Sequence, residues 1–178
     1  MSAGAPIGKA AGSGLKEEGK FRQRVDDHYK VMAAAKKTIG TAGRLQLASS
    51  IGLGTVVGVA ATQPEDGAMA LLGACLVVML YSGVCSQSAT SAAGAKDAEK
   101  NAAAYAGKLR TLATLLVLTS AGLVGLVVGE VLEVPPKPLL IASGAVAAFD
   151  LIGCLLGISG TSKLLGAFEA QKNKSKAK

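Results

Sequence analysis

Apolar residues in this chain gather into four blocks, separated by segments that carry the charges and the prolines. The blocks are Leu45 to Ala61 (long enough when extended back to Gly43), Ala68 to Ala89, Leu109 to Val128 and Leu139 to Ile158. Each approaches the roughly 20 apolar residues that a helix needs to cross a bilayer core. The first is the weakest, because Ser49, Ser50 and Thr55 interrupt it. The third holds no charge after Arg110, and the fourth contains one, Asp150. Pro64 follows the first block, and Pro135, Pro136 and Pro138 fall between the third and fourth. Proline cannot continue a helix, so these positions predict turns. The pattern predicts an all-α polytopic membrane protein with four transmembrane helices at about 43–61, 68–89, 109–128 and 139–158.

Ahead of the first block, residues 1–14 are rich in Gly, Ala and Ser and predict disorder. From Leu15 the pattern changes. Phe21, Val25, Tyr29 and Met32 recur at steps of four, four and three, which marks one helix face. Arg22, Arg24, Asp26, Asp27 and Lys30 project elsewhere. Residues 15–42 therefore predict a basic amphipathic helix on the membrane surface, in contact with lipid or a partner. The other reading is a helix packed back on the middle loop. His28 lies beside the apolar face. Residues 43–160 form the membrane bundle, and 161–178 a basic tail.

Composition sharpens the class. Of 178 residues, 50% are apolar but only 3% aromatic, and Gly contributes 23. Charged residues make up 17%, against about 25% in soluble domains, and mean hydropathy is +0.42. Eighteen of the 19 Lys and Arg lie in the N-terminal segment, the middle connection and the tail, and only Lys137 lies on the opposite side. Cytosolic loops of membrane proteins carry the excess of Lys and Arg, so both termini are expected in the cytosol. This distribution accounts for the net charge of +7 without nucleic acid. The first 40 residues lack the uninterrupted apolar core of a cleavable signal, and the first span is expected to serve as an uncleaved insertion signal.

Within lipid, close approach of backbones matters more than hiding Leu from hydrocarbon. Gly54 and Gly58, Gly125 and Gly129, and Gly153 and Gly157 each place two glycines on one helix face. They predict either packing inside the bundle or contact in a homo- or hetero-oligomer. Asp150 is costly in a span, which marks it as a functional group or a polar contact. The alternatives are proton or ion translocation, and an interhelical hydrogen bond to Ser120, Thr119 or Ser143. Cys75, Cys85 and Cys154 follow no ligand spacing and are read as small apolar packing residues. With one His and scattered Ser, no nucleophile and base pair is assembled, so no catalytic residue, cofactor or metal is expected.

The chain closes on Lys174-Ser175-Lys176-Ala177-Lys178. Lys174 and Lys176 stand where a dilysine retrieval signal read by coatomer has its lysines, an address and not an anchor. The other reading is an ordinary solvated basic tail.

Phe21-Arg22-Gln23-Arg24-Val25 with His28-Tyr29, and Lys163-Leu164-Leu165 with Phe168 and the lysine tail, resemble the entry and exit segments of the Jagunal family of endoplasmic reticulum membrane proteins. The resemblance implies a non-enzymatic protein that organises the reticulum and supports vesicle-mediated trafficking in the early secretory pathway. Two other classes stay open: a proteolipid-like proton-translocating subunit using Asp150, and an accessory subunit of a mitochondrial or plastid inner-membrane complex.

Overall fold

A computed structural model describes residues 10–94, 97–129 and 134–176. They form four helices, α1 (Ala10–Ala60), α2 (Asp66–Gly94), α3 (Ala98–Val128) and α4 (Lys137–Lys176). The turns fall where the breakers stand. Pro64 lies between α1 and α2, and Pro135 and Pro136 precede α4, whose first turn hangs on the Pro136 carbonyl through the amides of Leu139 and Leu140. Pro138 is tolerated because a helix's first amides need no intrahelical acceptor.

Each helix buries one narrow stripe. On α1 it runs Ala35, Ile39, Ala42, Gln46, Ser49, Leu53, Val56 and Ala60, alternating steps of four and three. On α3 it runs Ala98, Ala102, Tyr105, Leu109, Leu112 and Leu116 in the same rhythm. A seven-residue repeat of this kind is the seam of near-parallel helix packing. α1 packs against α2 and α4, and α3 packs against the same two, so α1 and α3 face each other across one diagonal and α2 and α4 across the other.

Three helices are long and apolar enough to cross a membrane: α2, α3 and α4, the last between Lys137 and Asn173. The block at 43–61 is helical too, but Arg44 and Gln46 fall within it and dilute its apolarity. It is also not a separate element. Residues 15–42 and 43–60 belong to one unbroken helix of 51 residues, which begins at Ala10, inside the stretch expected to be disordered. At about 1.5 Å per residue α1 is roughly 75 Å long and the 40-residue α4 roughly 60 Å. A bilayer core of about 30 Å is shorter than either.

The outer surface of the bundle carries an apolar belt. Leu47, Ile51 and Val59 of α1, Leu76 and Leu80 of α2, Val117 and Val124 of α3, and Ile141 and Leu155 of α4 are large, apolar and exposed. Beyond this belt lie the start of α1, the α2–α3 turn and the end of α4, all at one end of the bundle. The ion pair of Lys172 with Glu99, at 2.7 Å, joins the last two.

Candidate functional site

Where α1 passes from Arg44 into the apolar belt, the bundle carries a buried polar layer. Gln46 on α1, Ser82 on α2, Tyr105 on α3 and Asp150 on α4 are all fully buried, and Ser49 nearly so. All of them occupy the inward stripe of their helix, so the same repeat that packs the apolar core also delivers these groups to one another. The Tyr105 hydroxyl donates to Gln46 Oε1 at 3.0 Å, bridging the α1–α3 diagonal. The Ser82 hydroxyl lies 2.9 Å from Asp150 Oδ1, bridging the α2–α4 diagonal. It also lies 2.9 Å from the Gln46 main-chain oxygen. One hydroxyl proton serves one acceptor at a time, so Ser82 is shared between α1 and α4.

The layer is incompletely satisfied. Asp150 Oδ2, Gln46 Nε2 and Ser49 Oγ are buried without a hydrogen-bond partner. Buried polar groups left in this state weaken a bundle, and a half-satisfied network is worse than an apolar one. Asp150 therefore meets Ser82, and not Ser120, Thr119 or Ser143. Thr119 and Ser143 instead donate to carbonyls of their own helices, at Leu115 and Leu140. Helix register decides this, since Ser82 shares the stripe of Val78 and Cys85 on α2 while Ser120 is exposed on α3.

Cys85 and Cys154 are fully buried free thiols, and Cys75 nearly so. Among the described residues no group of three His, Cys, Asp or Glu is placed to hold a metal ion. The layer offers hydroxyl, amide and carboxyl hydrogen bonding, enclosed by the bundle.

The glycine pairs divide. Gly153 and Gly157 are packed inside: a Cβ on Gly153 would stand 3.3 Å from Gln46 Cγ, and one on Gly157 2.8 Å from a Leu109 methyl. A Cβ on Gly54 would stand 3.2 Å from Met79 Sδ, whereas Gly58 and Gly125 face open space. Gly129 caps α3, its backbone N–H donating a hydrogen bond to the Gly125 carbonyl at 2.9 Å. Two tight glycines fall outside any such pair. Gly43 abuts Ala89 and Gly160 abuts Ile39, each closer than a Cβ tolerates.

On the N-terminal part of α1, Val25, His28 and Met32 are half-buried and continue the stripe through Ala35, while Tyr29 is 67% exposed. The apolar face is thus Val25, His28 and Met32, with His28 in the place expected for Tyr29. The side chains of Phe21, Arg22 and Arg24, and of Lys174 and Lys176, lie outside the described ones. The backbone helix of α4 continues through Lys176.

Compared with family models, with curated proteins and with solved structures, the chain matches none. The fold and its apolar belt define an all-α membrane protein.

Proposed function

We propose that this protein is a non-enzymatic, four-span protein of the endoplasmic reticulum membrane that organises the reticulum and supports vesicle traffic in the early secretory pathway, with both termini in the cytosol. The observation that carries this reading is a juxtaposition. The two segments that resemble the Jagunal family lie far apart in sequence, near residues 21–29 and 163–168, yet antiparallel α1 and α4 bring them to one end. Ile39 meets Gly160. Counting outwards from that contact, residues 163–168 stand level with residues 36–31 of α1, so the exit segment adjoins the entry segment at 21–29 outside the apolar belt. A cleft of about 490 Å³ opens at that end, lined in part by Lys100, Leu165, Phe168 and Lys172. α1 counts as the fourth span in this reading, because Leu47, Ile51 and Val59 present the same exposed apolar surface as the other three helices. Arg44 then stands at the cytosolic boundary, where its charge reaches water along an apolar stem.

The enclosure of Asp150 by all four helices supports a packing contact, since a carboxyl that exchanges protons with a neighbouring subunit needs an open face. Dicyclohexylcarbodiimide tests this directly, because selective labelling of Asp150 in the native protein would favour the proteolipid-like class.

Localisation of the N-terminally tagged chain tests the main reading, beside a Lys174→Ala/Lys176→Ala variant for the proposed coatomer contact. Reticular signal in the parent and escape to later compartments in the variant are expected. Signal in mitochondria or plastids overturns the reading, and reticular signal in both removes the two lysines from it.

A further inference from the structure

The buried stripe of α3 stops at Leu116, although the helix runs on to Val128. Past that point α3 leaves a crevice of about 330 Å³ between itself and the rest of the bundle, at the end away from the basic segments. Its floor is Leu53 of α1 with Leu71, Cys75 and Val78 of α2, none more than 5% exposed. Its rim is Ser120 and Val124 on α3 and Leu140 and Gly144 on α4, all exposed. The mouth therefore opens sideways between α3 and α4, within the apolar belt, next to exposed Val117 and Ile141.

We propose that this crevice holds one acyl chain of a bilayer phospholipid. Three observations select that occupant. The floor is hydrocarbon and one thiol, which is only a weak hydrogen-bonding group. Of the three hydroxyls that line the crevice, Thr119 and Ser143 already donate to carbonyls of their own helices and Ser120 stands at the exposed rim. The mouth opens between two helices within the apolar belt, so the surrounding hydrocarbon reaches it directly. The volume of about 330 Å³ falls at the lower limit of sites for small apolar ligands, about 300 Å³. Left empty, the lining would forfeit its dispersion contacts on one side. A lipid chain restores them from the surrounding phase without displacing water. This inference rests on the membrane class and is independent of which membrane the protein occupies.

Gly144 supplies the handle for the test. A Cβ added there meets nothing within 4 Å, so a larger side chain enters open space and not a packed wall. The full chain is reconstituted in phosphatidylcholine nanodiscs containing a phosphatidylcholine with a photoactivatable diazirine midway along one chain, and adducts are mapped by peptide mass spectrometry. Adducts are expected on the floor at Leu53, Leu71 or Cys75 as well as on belt residues such as Val117 and Ile141. Gly144→Leu, or Ala147→Leu if the first variant is unstable, is expected to lower floor adducts at least about fivefold while belt adducts stay unchanged. Adducts on the belt with none on the floor overturn the proposal in the parent protein alone. Floor adducts that persist at parental level in a folded Gly144→Leu or Ala147→Leu protein overturn it as well.

Discussion

Ser82 Oγ lies 2.9 Å from Asp150 Oδ1, although the two residues sit on helices that face each other across the bundle. The bond closes that diagonal at the level where Tyr105 and Gln46 close the other. Four helices are thereby tied at one height by two crossing hydrogen bonds.

The sharing of Ser82 between Asp150 and the Gln46 carbonyl predicts an ordering of variants. Asp150→Asn brings an amide that donates to Ser82 Oγ and frees the serine proton for Gln46, so this variant should be at least as stable as the parent. Asp150→Ala leaves Ser82 and its surroundings unfilled and should cost about 1–3 kcal/mol. In a double-mutant cycle, Ser82→Ala and Asp150→Ala should couple by about 0.6–2 kcal/mol, the range for interhelical bonds in membranes. Unfolding followed by circular dichroism as denaturing detergent is titrated into micelles measures all three. Equal destabilisation by Asn and Ala would show that the carboxylate itself is required.

Glycines that look alike in sequence should separate by context. Gly43→Ala places a methyl 2.6 Å from Ala89 Cβ and 3.5 Å from the Ser86 carbonyl, and overpacking of this kind costs about 1–3 kcal/mol. Gly58→Ala and Gly125→Ala enter open space and should stay within about 0.5 kcal/mol of the parent. The same unfolding titration at low protein-to-detergent ratio checks this. If Gly58→Ala or Gly125→Ala instead shifts the oligomer distribution in native mass spectrometry, those faces meet another chain.

On the N-terminal part of α1 the inward stripe passes through Met32 and the outward face through Tyr29. Met32→Ser should lower the protection of α1 amides around residues 25–35 in hydrogen exchange, while Tyr29→Ser, at a position 67% exposed, should leave it unchanged. The opposite result would mean that the helix is rotated to bury Tyr29.

Much of this architecture is written in the apolar blocks. The all-α class and the spans of α2, α3 and α4 follow from length and composition, since little else fits so many apolar residues between charges. The stripe at the start of α1 was less legible. Phe21, Val25, Tyr29 and Met32 form a face on a 3.6-residue helix, but the seven-residue series set further along by Ala35, Ala42, Ser49 and Val56 carries His28 inward instead. Along one continuous helix the repeat extends backwards from the apolar block to His28. The Ser82 partner was hidden for another reason: periodicity shows which side of a helix faces in, but not the height at which two helices distant in sequence align. Gly43 and Gly160 lie outside the paired-glycine pattern for the same reason, as each is tight only against a residue on another helix.

The basic end should be held by burial and not by its visible ion pair. Outside the bilayer core water is again the solvent, so hiding apolar surface regains the driving force it lacks within lipid. Leu164 is fully buried there, with Leu165 and Phe168 packed partly against the same cluster. Lys172 and Glu99 are 64% and 43% exposed, and exposed pairs contribute about 1 kcal/mol or less. Leu164→Ala should therefore cost about 2–5 kcal/mol, and Lys172→Ala less than about 1 kcal/mol. Limited proteolysis of the C-terminal part of α4 in reconstituted protein gives a local readout, with Leu164→Ala cleaved much faster than the parent and Lys172→Ala at about the parental rate. Faster cleavage of Lys172→Ala in low salt alone would assign the anchoring of this end to charge, because only an exposed pair is strengthened when screening is removed.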